Sequence, residues 1–223
     1  MIRFENLTKY FYLRGYRKTV LQDVNAVFPS GKSIALLGRN GAGKSTLMKM
    51  IAGTTNPSQG KVSITGSMSW PVGFAGSFHP ELTGAQNTRF LARIYGTDTD
   101  ELVDFVADFS ELGRSFHQRF GSYSSGMRAR LAFGVSMGIK FDTYLVDEVT
   151  AVGDQAFRQK SQALFRARMR DSGSVVVTHS MPQVREMCDA GAVLENGRMI
   201  YYEDLEEAIA HHLHNMNTAP VIN

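Results

Sequence analysis

The stretch Gly38-Arg39-Asn40-Gly41-Ala42-Gly43-Lys44-Ser45-Thr46 decides the fold. It satisfies G-x-x-x-x-G-K-[ST], the spacing of a phosphate-binding loop. Glycines let successive backbone N–H groups turn inward around phosphate oxygens with no side chain in the way. Lys44 supplies a point charge for β- and γ-phosphates, and the Ser45 hydroxyl is placed to ligand Mg²⁺. The flanks give the motif its context. Upstream, Ser33-Ile34-Ala35-Leu36-Leu37 is an apolar run of buried-strand length. Downstream, Leu47, Met50 and Ile51 recur at helical spacing, and Gly53 is a C-terminal stop. Strand, glycine loop and helix together make residues 38–46 candidate nucleotide-binding positions.

Composition bounds the rest. The 223 residues suit one domain, or a core domain with a subdomain. Lys and Arg total 24 against 21 Asp and Glu, and a net charge of +3 is too mild to imply nucleic acid. Cys188 is the only cysteine, so there is no internal disulfide framework. No apolar run approaches the roughly 20 residues of a membrane span, and the N-terminus lacks the long apolar segment of a signal peptide. The chain is expected to be soluble alone, and any work across a membrane needs a partner.

Residues 1–8 read as a strand through Ile2, Phe4 and Leu7. Tyr10, Phe11 and Tyr12 follow, able to offer a ring to a purine or to form a hydrophobic sheet edge. A polar basic loop to Lys18 and a second strand over 20–28 come next. Asn56–Gly60 is a turn and Lys61–Thr65 a short strand. Residues 66–80 are Gly-rich and carry Trp70, Pro71, Phe74, Phe78, His79 and Pro80. From Glu81 to about Lys140 the pattern is mainly helical, with Phe90 and Ile94, then Leu102, Val103 and Val106, then Met127, Leu131 and Val135 at helical spacing. Strands resume at 144–146, 174–177 and 192–194, Asn196-Gly197 reads as a hairpin turn, and a last helix covers about 205–214. The organisation is an α/β nucleotide core (1–80 and 141–214), a helical insertion (81–140) and a loose tail (215–223).

Three further places carry chemistry. Phe141–Glu148 is an apolar strand ending in two carboxylates. Asp147 is placed to hold Mg²⁺ beside Ser45, and Glu148, one residue on, to polarise an attacking water. His179 ends the buried strand Val175-Val176-Val177-Thr178 and either reaches the γ-phosphate or is a hydrogen-bonded histidine at a strand end. Tyr123-Ser124-Ser125-Gly126-Met127-Arg128 opens an apolar-periodic helix, whose serines are caps or part of an anion site at the helix N-terminus. His211, His212 and His214 on the terminal helix lack Cys or carboxylate partners and read as surface.

Tyr-Ser-Ser-Gly-Met at 123–127 resembles the Leu-Ser-Gly-Gly-Gln signature of the ABC ATPases. Gly38–Thr46, Ser124–Met127, Asp147-Glu148, Ala151–Asp154 in the D-loop place and His179 fall in that family's order. The resemblance implies a P-loop NTPase fold of ABC type: an α/β core with an antiparallel β subdomain and an inserted helical subdomain. Ser69–Phe74, Phe78–Gly84, Tyr123–Arg130 and Val146–Asp154 are similar, more narrowly, to the ATP-binding subunits of bacterial capsular polysaccharide exporters, the KpsT-like family. That resemblance implies ATP and Mg²⁺ as cofactors and a second copy of the chain as partner, with each ATP sandwiched between the P-loop of one copy and Ser124, Ser125, Gly126 and Met127 of the other. It further implies a pair of integral membrane permease subunits handling a lipid-linked polysaccharide, and a peripheral position on the cytoplasmic face of the inner membrane. Glu148 is the implied base, with His179 and Lys44 beside it, and Phe11 best matches the adenine-stacking position, with Tyr10 and Tyr12 as alternatives. O-antigen exporters of this group carry a C-terminal sugar-binding domain, and the few residues after the last helix here favour the capsular branch.

The chain also departs from the pattern. No glutamine precedes Leu82-Thr83-Gly84, where the family contacts Mg²⁺ and its transmembrane partner; His79 occupies that place and Gln86 comes too late. Trp70, Phe74, Phe78 and Pro80 sit where the family's coupling cleft lies, or else they pack core against insertion. A non-transport ABC ATPase is the rival reading, but the chain has neither a coiled-coil insertion nor a tandem module. Arg158, Lys160, Arg166, Arg168 and Arg170 read as a solvated helix face, and no nucleic-acid partner is expected.

Overall fold

The computed structural model of the chain describes residues 1–73, 76, 78–147 and 154–218. The strands among these are β1 (Ile2–Leu13), β2 (Tyr16–Phe28), β3 (Ser33–Leu37), β4 (Gln59–Ile64), β5 (Met68–Pro71), β6 (Thr143–Asp147), β7 (Gly173–Val177), β8 (Ala190–Glu195) and β9 (Arg198–Tyr202). The α-helices are α1 (Lys44–Ile51), α2 (Gly84–Tyr95), α3 (Thr99–Ser110), α4 (Ser125–Gly138), α5 (Gln155–Arg170), α6 (Met181–Met187) and α7 (Leu205–Asn217). One sheet has the order β2-β1-β4 and is antiparallel; the other runs β5-β6-β7-β3-β8-β9. Two compact units form, one from residues 1–69, 142–148 and 171–223, the other from 70–141 and 149–170.

In the first unit, the pairs β6–β7, β7–β3 and β3–β8 are all parallel. Parallel strands are covered on both faces, so their sequences run apolar without alternation. Every residue of β3 and of β7 is accordingly buried. Their side chains join Leu47, Met50 and Ile51 of α1 and Ile2, Phe4 and Leu7 of β1 in one core, where the Phe4 and Phe28 rings meet edge-on at 5.0 Å. The entry of β6 is pinned by polar contacts. Asp142 accepts from the Ser67 backbone N–H at 2.7 Å and from its hydroxyl at 2.8 Å, bonds that hold its carboxyl below the usual range. The Leu145 N–H donates to the Ser69 hydroxyl at 2.9 Å. These bonds set the register of the strand that ends at Asp147.

The β1–β2 region differs from the expected loop. Tyr10–Leu13 and Tyr16–Lys18 are paired strand, with Phe11 opposite Lys18 and only Arg14-Gly15 as the turn. Both turn residues have positive φ, 49° and 85°, as a two-residue I′ hairpin requires. The basic residues made this tip look like a loop because it is a solvated hairpin whose strands need no buried face.

The second unit is helical around an aromatic core. Phe109 lies 5.9 Å from Phe133 and 5.3 Å from Phe157, joining α3, α4 and α5. Lys160 and Arg130 both pair with Glu111, at 2.9 and 3.4 Å, and Arg168 donates to the Met137 carbonyl at 2.8 Å. Part of the basic face of α5 therefore holds this unit together. At α2, Thr83 and Gln86 form a reciprocal capping box. Gln86 thus has a structural use at the helix start.

Leu145, wholly buried in the core of the first unit, gives a direct test of this packing. Leu145→Ala should lower the unfolding free energy by about 2–5 kcal/mol, read as a fall in the urea midpoint with unchanged slope.

Candidate functional site

The glycine loop leaves the C-terminal end of β3, whose neighbours β7 and β8 lie on opposite sides. An open parallel sheet forms its crevice at such a reversal of strand order. Two of its glycines are fixed by lack of space. A Cβ on Gly38 would lie 2.5 Å from the Leu194 carbonyl oxygen, and one on Gly43 would lie 2.5 Å from Val20 Cγ1. Gly43 also has φ 107° and caps α1 with no side-chain bond to its first N–H groups. Those donors, aligned with the helix dipole, favour an anion in front of them. Lys44 Nζ donates to the Gly38 carbonyl at 2.5 Å and to the Arg39 carbonyl at 3.0 Å. The cation is thereby held within its own loop.

A cleft of 490 Å³ opens over this loop. Asn40, Gly41, Gly43, Lys44, Ser45 and Thr46 line it, together with Phe11, Asp147 and His179. Asp147 is exposed at the last position of β6, and His179 is exposed two residues beyond β7. Of the three adjacent aromatics, Phe11 and Tyr12 line the cleft, whereas Tyr10 lines a separate depression with Asn6, Arg17 and Gln59. Lys9 Nζ stands 4.8 Å from the Phe11 ring centroid. Lys18, Val20 and Val177 complete the wall and were not singled out from the sequence. In the sequence Lys18 looks like the end of a loop, and its place opposite Phe11 follows only from the hairpin register. Ser45 and Asp147 offer hydroxyl and carboxylate oxygens to the same space, a donor set that fits Mg²⁺, which takes one or two protein oxygens plus substrate phosphates.

Other expected site residues belong to the second unit. Ser124 caps α4, accepting from the Met127 N–H at 3.3 Å, and Ser125, Gly126 and Met127 form the first turn. Asp154 accepts from the Phe157 N–H at 3.0 Å and pairs with Arg130 at 2.7 Å, bonds that keep its carboxyl low. His79 is exposed; its Nδ1 accepts from the Glu81 N–H at 3.2 Å while its own N–H donates to Asn87 at 2.8 Å. Phe78 is buried and stacked on Phe120 at 5.1 Å, and Trp70 packs between Tyr95 and Phe141. Glu148, Phe74 and the residues 149–153 lie outside the described residues.

The terminal helix differs from its reading as a surface carrier of histidines. His212 is only 8 % exposed, and its Nδ1 is buried with no hydrogen-bond partner among the described residues. Burial, then the nearby charges of Lys44, His179 and His211, hold its pKa below the ordinary histidine value. His211 bridges the Tyr202 hydroxyl at 2.9 Å and the Asn215 amide at 3.1 Å. Position at i+1 on an amphipathic helix separates the two histidines, which composition alone does not reveal.

Residues 21–151 match the ABC transporter family. The chain belongs to that family. It is 48% identical over 212 residues to the polysialic acid transport ATP-binding protein KpsT of Escherichia coli, covering 94% of this chain and 95% of that one. It is 43% identical over 208 residues to the capsule polysaccharide export ATP-binding protein CtrD of Neisseria meningitidis serogroup B, covering 93% and 96%. A dimeric solved structure of the ATP-binding cassette MJ0796 with ADP and Pi superposes with a TM-score of 0.74 at 21% identity, over 92% of this chain and 99% of that one. The ABC-type fold and an ATP-binding, ATPase function follow. No described helix of this ABC subunit is long and apolar enough to cross a membrane.

The depressed pKa of His212 in the folded ABC ATPase fixes the sign of a pH effect on stability. A depressed pKa means that the unfolded chain takes up the proton first as pH falls, so this share of stability is complete above the ordinary histidine range and lost below it. The unfolding midpoint should therefore drop between about pH 7 and pH 5, and His212→Leu should flatten that drop in a pH series of thermal melts.

Proposed function

We propose that the chain is the motor of a capsular polysaccharide exporter. Two copies bind a pair of permease subunits at the cytoplasmic face of a bacterial inner membrane. ATP binding and hydrolysis between the copies drive a lipid-linked polymer across. The nucleotide chemistry is carried by one observation: Phe11, Lys44, Ser45, Asp147 and His179 line the same cleft. The substrate class is supported by the relatives named for polysialic acid transport and capsule export, alike over almost their whole length.

In this reading the purine stacks on Phe11 and the phosphates lie in the residue 38–46 loop, before the N-terminus of α1. Lys44, held by the Gly38 and Arg39 carbonyls, directs its charge at the β- and γ-phosphates. Ser45 and Asp147 hold Mg²⁺, which neutralises phosphate charge when bound. Glu148 orients and deprotonates the attacking water, and His179 steadies the γ-phosphate. Ser124–Met127 of the second copy closes over the same phosphates, so ATP favours the closed pair by binding it better than the open one. Hydrolysis removes that difference, and Asp154 of each copy lies in the joint.

A membrane partner is supported by α2. Phe90 and Ile94, one turn apart, are 52 % and 56 % exposed, an apolar stripe that water does not favour. With Pro80 and His79, both exposed just before this helix, it forms the surface we assign to the permease. Trp70 and Phe78 are its internal support.

Lys44→Ala should weaken ATP binding by about 10–100-fold in equilibrium dialysis, the loss of a charged hydrogen bond. Glu148→Gln should retain binding and lower steady-state phosphate release by at least about 100-fold. Hydrolysis at the wild-type rate in Glu148→Gln removes the base from this scheme.

A further inference from the structure

Arg39 is the second residue of the phosphate loop, yet its guanidinium is engaged with the terminal helix. Its Nη1 donates to the Asn215 carbonyl at 3.0 Å and to the Thr218 carbonyl at 3.1 Å. The last carbonyls of a helix have no partner within it and lie at the negative end of its dipole. An arginine is well suited to both demands. The main chain of the same residue faces the site. The Arg39 carbonyl accepts from Lys44 Nζ at 3.0 Å and from the Ala42 N–H at 3.1 Å. One residue therefore joins the end of α7 to the cation of the phosphate loop.

That end of α7 is itself anchored. The Tyr202 hydroxyl of β9 meets His211, and His211 meets the side chain of Asn215, whose carbonyl receives Arg39. The Thr218 hydroxyl closes the last turn by donating to the His214 and Asn215 carbonyls at 3.3 and 3.1 Å. The path from β9 through α7 to the loop consists of directional bonds, whereas Gly38 before Arg39 and Gly41 two residues after it carry no side chain to hold the turn. A loop so rich in glycine needs an external tie to keep its carbonyls aimed at Lys44.

We infer that Arg39 is a positioning residue for Lys44 and that the last turn of α7 is the anchor it uses, so that the terminal helix is part of the nucleotide site. This rests on the cleft's being that site. Cutting the tie raises the cost of ordering the loop around ATP and leaves the hydrolytic groups in place. Binding should suffer, and turnover at saturation should not.

The test is steady-state hydrolysis as a function of ATP concentration on the full chain and five variants. Arg39→Ala should raise KM for ATP about five-fold with kcat changed less than about two-fold. Arg39→Lys, which keeps a donor for the same carbonyls, should recover most of that KM. A chain ending at His214 should match Arg39→Ala, and adding Arg39→Ala to it should cost nothing more, because both remove one interaction. A chain ending at Thr218 keeps both acceptors and should behave as wild type. An unchanged KM in Arg39→Ala, or equal loss in Arg39→Ala and Arg39→Lys, overturns the inference, even if the shortened chain fails to fold. Lys44→Ala separates the two levels. If it loses ATP while Arg39→Ala does not, the tie is wrong and the site stands. If it binds ATP as wild type, the site reading falls and takes the tie with it.

Discussion

An ammonium group held by the carbonyls of its own loop is the constraint on which the rest of the structure depends. Lys44 donates to Gly38 and Arg39 across a turn that has no room for side chains where it touches β8 and β2. The start of α1, whose dipole points its positive end at the cleft, favours an anion there. The parallel sheet presents this loop, and the bonds of Ser67 and Ser69 to Asp142 and Leu145 set the strand that brings Asp147 alongside.

In the proposed function a second anion site lies at the start of α4, where Ser124 caps the helix and the following turn is Ser125-Gly126-Met127. The two sites reside in separate compact units. A ligand with several phosphate groups can engage one from each of two copies. Such a ligand stabilises association by its differential contacts and loses that effect when its γ-phosphate leaves. In the proposed function this converts hydrolysis into motion, and the exposed Phe90 and Ile94 of α2 are the surface assigned to passing it on.

Much of this was legible in the sequence, for identifiable reasons. The phosphate loop declares itself because its chemistry demands glycines at fixed spacing. The parallel strands do so because burial on both faces leaves unbroken apolar runs such as Ser33–Leu37 and Gly173–Val177. The hairpin of β1 and β2 was hidden because its tip has no buried face, so its basic residues mimic a loop. Phe78 and Phe90 look alike in a hydrophobic pattern, yet one stacks on Phe120 and the other faces water. Helical periodicity alone does not tell an inward from an outward apolar face. The link from Arg39 to Asn215 and Thr218 spans the chain from the phosphate loop to the end of the last helix and uses backbone acceptors, which leave no trace in residue type.

The most direct measurement of the account is the mass of the Glu148→Gln chain in solution, by light scattering after size exclusion, with and without saturating ATP and Mg²⁺. The mass should double only when ATP is present, and the doubling should disappear when Lys44→Ala is added. A mass that stays the same while ATP is bound would contradict it.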